Sequence, residues 1–481
     1  MIFKCVRIVN GYLLTVNRID ENEFVLFKNC NSTYNSTICT RNSILKMSLY
    51  SEIFYSTEIN ELFSDRNTIA EMLRFEAALA QAQAKNGIVS ETSAAIIVDC
   101  CDAYLVDIEK LKVEVKLGGN AAIPLVKQLT RIVKNNDVEA SKMVHLGATS
   151  QDVVDTTMVL QIKSFLAWLE SKLNQLRQLL IALTQKHRST LMIGRTLLQQ
   201  ARPITFGLKT AGWLEGVIRS QNRLKEIQSR LLKLQLGGAV GSGNTSISQE
   251  VHRTMAQELG LMPSFSWQTQ RDSFAEWAGV LGVLVGSLGK IAKDVSLLMQ
   301  TEVGEVLEGA GEGKGGSSTM PHKRNPVTCA ALLANATRTP HLVATVLSAM
   351  PQEHERSAGL WHSEWEVLVE LMTLTAGSVE RATELVSGLE VDEKRMLANL
   401  EITKGLIYAE NVSLALAPKM GKMQAHELVE KACKTAIYQQ KHLKEILLEL
   451  QLDLPDLEEL FKPENSIGLS LELIDEMLRQ V

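Results

Sequence analysis

Between Gly315 and Pro326 the chain reads GGSSTMPHKRNP, a run of residue types that could hold a carboxylate and supply a base. Ser317 lies among glycine backbone and near a lysine. An alkoxide there would be stabilised by N–H donors and a cation, so a serine of this string could act as a base. Lys323 offers a compact cation and Asn325 offers amide donors, and together they suit a carboxylate. The preceding GAGEGKG and the paired glycines let backbone approach a ligand and let the loop open and close. Pro321 and Pro326 stiffen its distal part. A flexible surface loop with a helix cap is the plain alternative for any string this rich in glycine and serine.

Two further polar, glycine-containing segments interrupt an otherwise apolar chain, HLGATSQDVVDT (145–156) and GRTLLQQARPITFG (194–207). Both fall where predicted helices begin or end, and unpaired backbone N–H groups at such ends can bind anions.

Long helices must position these segments. Apolar residues recur at Ile162, Leu166, Leu169, Leu173, Leu176, Leu180 and Leu183, in steps of four and three. A second stripe runs Trp213, Val217, Leu224, Ile227, Leu231, Leu234, broken only at Ser220. A third runs Phe274, Trp277, Leu281, Leu284, Leu288, Ile291, Val295, Leu298. Each predicts a helix of roughly 25 residues, about 40 Å long. Such stripes are buried only against one another, which predicts a central helical bundle. The third is also apolar off its stripe, at Val280, Val283 and Val285, so it is expected to be covered on several sides. Strand signals are sparse, and most of the ten prolines are read as helix boundaries, as at Pro203 and Pro326. A pure coiled-coil scaffold would have no use for the interrupting loops.

Composition sets the outer limits. The 481 residues suffice for two or three domains, and 45% apolar content supports a large core. A net charge of −5 argues against a nucleic-acid surface. No uninterrupted apolar run is long enough to span a bilayer. The seven cysteines show no metal-ligand spacing and read as reduced thiols in a cytoplasmic protein, with no metal and no cofactor expected. Residues 1–46 are polar and asparagine-rich, and globular patterning starts at Met47. The expectation is an N-terminal extension, non-native or disordered, with Met47 as a candidate natural start.

The twelve-residue string resembles the signature loop of the fumarase/aspartase superfamily, whose pattern is G-S-S-x-M-P-x-K-x-N-P. The resemblance runs from about Met47 to about Leu448, with the other two segments in the same order. It implies an all-α protein of three mainly helical domains, here 47–155, 156–390 with the mobile loop 309–326, and 391–481. It also implies a homotetramer with a twenty-helix core and active sites shared between subunits. By this resemblance Ser317 handles the proton on carbon, and Lys323 and Asn325 bind carboxylate and developing aci-carboxylate charge. Thr149 and Ser150 bind another carboxylate, His145 contacts substrate, and Gln199 is a further binding residue of the second segment. Arg356, in AMPQEHERSAGLWHSEWE, is a third carboxylate contact because a guanidinium can bind bidentately. Tryptophan-flanked His362 reads as a satisfied buried residue, and His354 is left without a role.

The second segment departs from the pattern. Many members carry G-R-T-H-x-Q, whereas this chain places Leu197 at the histidine. The glutamate that pairs with it elsewhere is replaced by Ala330. Amine, ammonia or hydroxide leaving groups need a general acid. A carboxylate, with an ordinary pKa of about 4, does not. The paired loss therefore points to the branch that closes and opens a lactone on a small tricarboxylate. An adenylosuccinate lyase-like or other β-elimination activity is the nearest alternative, and a non-catalytic helical protein the most distant.

Overall fold

The computed structural model describes residues 6–9, 12–15 and 49–480, apart from 312, 317, 318, 321, 453 and 455. Residues 1–42 and 43–481 form separate compact units. In the first, strands β1 (Val6–Val9) and β2 (Tyr12–Thr15) pair antiparallel with Val9 opposite Tyr12. The expectation made for residues 1–46 otherwise lies outside the described residues.

The second unit is all-α except for small antiparallel pairs. Helix α1 (Asp65–Lys85) starts at Ser64, whose hydroxyl accepts from the Asn67 N–H. Five long helices follow: α2 (Ser150–Lys186), α3 (Phe206–Leu231), α4 (Asp272–Leu298), α5 (Val327–Ser348) and α6 (Leu360–Ser387). They pack into one bundle, with α4 against α3, α5 and α6 and α2 against α3 and α6. All but one of the residues in the three predicted stripes are buried, and Leu183 is half-buried. Each fully buried leucine contributes about 1.5–3 kcal/mol. Ser220, which interrupts the second stripe, is buried too, and its hydroxyl is satisfied by the Gly216 carbonyl one turn back.

Several elements differ from expectation. Helix α2 is 37 residues long because its first turns are buried nearly all round, through Val153, Thr156, Val159 and Leu160. Helices α5 and α6 carry no obvious stripe. Their buried Thr339, Thr375 and Ser378 look polar in sequence but bond back to carbonyls four residues earlier. Pro340 lies inside α5 and Pro418 inside α7 (Ala409–Met420), so prolines are not confined to boundaries. Segment 194–207 is largely a hairpin, β3 (Leu191–Thr196) against β4 (Gln199–Thr205), and Pro203 sits in its second strand. Helix α4 is the one helix among the described residues long and apolar enough by composition to cross a membrane. Its stripe faces the bundle, while Val283 and Gly286 remain exposed. Helices α7 and α8 (Lys422–Gln439) share a separate small core with Leu443, Ile446 and Leu447.

The up-and-down course of the bundle creates two poles. At the first lie the N-termini of α2, α4 and α6, tied by Arg271 and Trp361, which both donate to Asp155. At the second lie the β3–β4 hairpin and the 299–326 loop, tied by the Arg195–Glu305 ion pair at 2.6 Å. The short pairing of Val306–Leu307 with Glu390–Val391 closes this end.

Candidate active site

The first pole gathers four of the predicted site residues. Thr149 caps α2 in a reciprocal arrangement, its hydroxyl bonded to the Asp152 N–H and its own N–H donating to Asp152 Oδ2 at 3.0 Å. Ser150 is the first helical residue and is buried. The N–H groups of Ser150 and Gln151 find no acceptor among the described residues, leaving donors at the positive end of a long helix dipole. Arg356 Nη2 donates to Thr149 Oγ1 at 2.8 Å and to the Ala239 carbonyl at 3.3 Å. Both acceptors are neutral, and the Nε of Arg356 has no partner among the described residues. His145 Nδ1 lies 2.7 Å from Glu76 Oε1, on α1.

Beneath these groups is a carboxylate that sequence reasoning passed over. Asp152 is fully buried and accepts from Gln235 Nε2 at 3.0 Å, Gly237 N at 2.8 Å and Gly238 N at 2.9 Å, besides Thr149 N. It thereby joins the helix cap to the glycine-rich turn whose Ala239 carbonyl receives Arg356. Burial lifts its pKa to about 6 against the pull of those hydrogen bonds. A signal was available, since an aspartate three residues after a threonine before an apolar run is a capping box. Gly147, at φ +81°, has no room for a side chain, because a Cβ would lie 2.7 Å from Asn244 Oδ1.

Deeper in the same pole, Arg271 pairs with both Asp155 (2.7 Å) and Glu364 (2.5 Å), all three side chains being 1–2% exposed. Trp361 Nε1 and Gln151 Nε2 complete the Asp155 shell at 3.0 and 3.1 Å. Arg271 is saturated, in contrast to Arg356, for which no ion pair exists among the described residues.

The second pole holds the signature loop. Gly315 adopts φ +67°, and a Cβ there would lie 2.8 Å from the Asn325 carbonyl. The Asn325 N–H donates to the Gly315 carbonyl at 2.8 Å, and its amide reaches the Gly316 carbonyl at 3.3 Å. Glu390 gathers both stems, accepting from Ala310 N at 3.1 Å and from Arg324 at 2.8 Å. Glu308 caps α5 by accepting from the Thr328 and Cys329 N–H groups. That helix N-terminus is thus already occupied by a carboxylate. Lys323 is exposed and forms no ion pair among the described residues. Ser317 lies outside the described residues.

Gln199 opens β4, exposed, beside the hairpin tip. Leu197 and Leu198 form the two-residue turn at φ +48° and +66°. That geometry favours Asn-Gly, and it costs a leucine about 1–2 kcal/mol per residue. They are 96% and 78% exposed. His362 is exposed, contrary to expectation, with its ring 4.5 Å from that of Trp365. His354 is also exposed, at φ +50°. Among the described residues no cluster of His, Cys, Asp or Glu could hold a metal ion.

The structure therefore brings together His145, Thr149, Ser150 and Arg356, and separately Lys323 and Asn325. Helix α2 alone spans about 55 Å and α5 about 33 Å at 1.5 Å per residue.

A long-helix bundle with a glycine-containing loop at one pole and a helix cap with open N–H donors at the other defines a class. A family model described as Lyase matches residues 55–340, and one described as Adenylosuccinate lyase C-terminus matches residues 405–477. The chain belongs to the fumarase/aspartase superfamily of lyases. Among particular relatives, it is 48% identical to the 3-carboxy-cis,cis-muconate cycloisomerase of Pseudomonas aeruginosa, covering 90% of this chain and 96% of that protein. It is 44% identical to the enzyme of the same name from Acinetobacter baylyi, covering 90% and 98%. The crystal structure of 3-carboxy-cis,cis-muconate lactonizing enzyme from Pseudomonas putida superposes with a TM-score of 0.85 at 44% identity, covering 90% of this chain and 98% of that one.

Proposed function

We propose that this chain is a cycloisomerase that closes 3-carboxy-cis,cis-muconate to its lactone, a step of protocatechuate breakdown. The observation that carries the reading is the Arg356–Thr149 pair, a guanidinium without an ion pair among the described residues, hydrogen-bonded to the cap of a long helix. Such a pole suits a substrate carrying three carboxylates. Arg356, Thr149, Ser150 and His145 hold the carboxylates at one side, and Lys323 and Asn325 approach from another copy of the chain. Gln199 and the leucine tip belong to the same assembled site. The length of the bundle supports sharing between copies, because the two poles are too far apart within one.

In the forward direction one carboxylate oxygen adds to the conjugated double bond, and the new C–O bond forms as the π pair moves to the carbon next to another carboxylate. Lys323 and Asn325 stabilise the aci-carboxylate charge so created. The Ser317 hydroxyl then gives its proton to that carbon. In reverse Ser317 removes the proton and the lactone carboxylate departs unassisted. Apolar Leu197 and Ala330 fit this step, since a carboxylate needs no acid to leave.

A second reading is an adenylosuccinate lyase-like elimination, favoured by the C-terminal family match. One assay separates them: purified chain is given the muconate and adenylosuccinate in parallel, each followed by ultraviolet absorbance. Loss of the diene with no change in adenylosuccinate supports the cycloisomerase. The opposite pattern overturns it.

A further inference from the structure

We propose that Glu76 is a positioning residue for this site: it accepts from the His145 Nδ1–H and holds the ring as an imidazolium, whose other N–H, at Nε2, is the donor to a substrate carboxylate. This inference rests on the reading of the first pole as the anion-binding half of the site.

Glu76 sits in the middle of α1 among buried Met72, Leu73, Phe75 and Leu79, and is itself only 2% exposed. A carboxylate in such surroundings is costly unless paired. One oxygen faces His145 Nδ1 at 2.7 Å, and the other has no partner among the described residues. Two helical turns further along the same face lies Gln83, also buried. Its amide donates to the Leu146 carbonyl at 2.7 Å and the Ser246 carbonyl at 2.8 Å. Helix α1 therefore holds the 145–146 segment at two points. The hold matters because His145 is at φ +59°, a conformation that costs a residue bearing a β-carbon about 1–3 kcal/mol.

A pair that served packing alone would spend both ring nitrogens inside the protein. Here Nε2 makes no hydrogen bond among the described residues, and the side chain keeps 19% of its surface open. The charged groups facing the ring are Glu76 from α1 and Asp152 from α2. The neighbouring Cys101 thiol is pushed up, by burial first and then by Glu76, and stays neutral. Burial pulls the imidazole down, and the charge and hydrogen bond of Glu76 more than reverse it, so His145 titrates above its ordinary range. The cation is present below that raised value and is lost as pH rises through it.

The test uses the full chain with 13C-labelled histidine rings, the His145 signal being assigned by its loss in His145→Asn. Titration is run with and without propane-1,2,3-tricarboxylate as a non-reacting probe. In Glu76→Gln the His145 midpoint is expected to fall by at least about one pH unit. KM for the muconate is expected to rise about tenfold at pH 8 and to recover towards the wild-type value at pH 6, whereas a merely structural lesion would not be rescued by acid. The probe should raise the wild-type His145 midpoint. An unmoved midpoint in Glu76→Gln, a pH-independent KM defect, or a probe that leaves the wild-type signal unchanged would each overturn the proposal. Glu76→Asp and the wild-type titration decide the matter if the glutamine variant does not fold. Absence of muconate turnover by the wild type would sink the proposed reaction while the probe titration still decides the role of Glu76.

Discussion

Replacing Arg356 by alanine separates binding from folding more cleanly than any other change at the first pole. Among the described residues the guanidinium makes two hydrogen bonds, to the Thr149 hydroxyl and the Ala239 carbonyl, and pairs with no carboxylate. Hydrogen bonds from a half-exposed guanidinium to neutral acceptors contribute about 1–1.5 kcal/mol each, so the fold should lose no more than about 3 kcal/mol. A charge-assisted bond to a substrate carboxylate contributes about 1.5–3 kcal/mol, which corresponds to about a 10- to 150-fold rise in KM. Arg356→Lys keeps the charge but loses the fork, and should lie between the two. The assay is steady-state loss of diene absorbance, with denaturant unfolding run on the same preparations. A KM equal to the wild-type value in a folded Arg356→Ala protein would refute the reasoning. So would a KM change that follows only the loss of stability.

Arg271→Met leaves Asp155 and Glu364 buried without their cation. Stability should fall by about 3–5 kcal/mol, read as a lower denaturant midpoint, and a loss below about 1 kcal/mol would count against the ionic core. Asp152 titrates at about 6 in the folded chain, above its ordinary carboxyl value. Its ionised form organises the Thr149 cap, so kcat/KM should fall on the acid side with a midpoint near 6. Protons bind the folded Asp152 more tightly than the unfolded one, so its own contribution to stability should decline as pH rises between about 4 and 6. A kcat/KM flat down to pH 4.5 would remove this role. Ser317→Ala should lose most turnover while still binding the lactone, and wild-type-like rates would refute Ser317 as the base. Lys323→Ala and Arg356→Ala, each impaired alone, should recover activity when refolded together, approaching about one intact site in four if two copies build each site. No recovery on mixing would place the whole site within one chain.

The bundle was legible where packing is uniform. The Ile162–Leu183, Trp213–Leu234 and Phe274–Leu298 stripes each face the core because a single helical face is buried along its length. Helices α5 and α6 were not, since alanines and back-bonded hydroxyls fill a core as well as leucines do without marking a face. The hairpin was missed for a different reason: its turn is Leu-Leu, not Asn-Gly, and local propensity gives no hint of it. Site residues carried by the motifs were readable as types. Of their supports, Asp152 was marked by its capping-box spacing and Glu76 by nothing in the sequence. A buried carboxylate in an apolar helix is recognisable only when its partner from another element is seen. Leu197 shows the limit from the other side, since its chemistry was legible as a missing histidine, while its placement at the end of an exposed strained turn was not.

The central claim is that one carboxylate of the substrate adds across its own diene and that a proton from the protein then completes the lactone. Purified wild-type chain incubated with 3-carboxy-cis,cis-muconate in D2O, followed by proton and carbon NMR, tests it most directly. The account predicts disappearance of the diene and a single lactone carrying one solvent-derived deuteron on the carbon next to a carboxylate. An unchanged diene in the presence of folded protein, or a lactone without that deuteron, would contradict it.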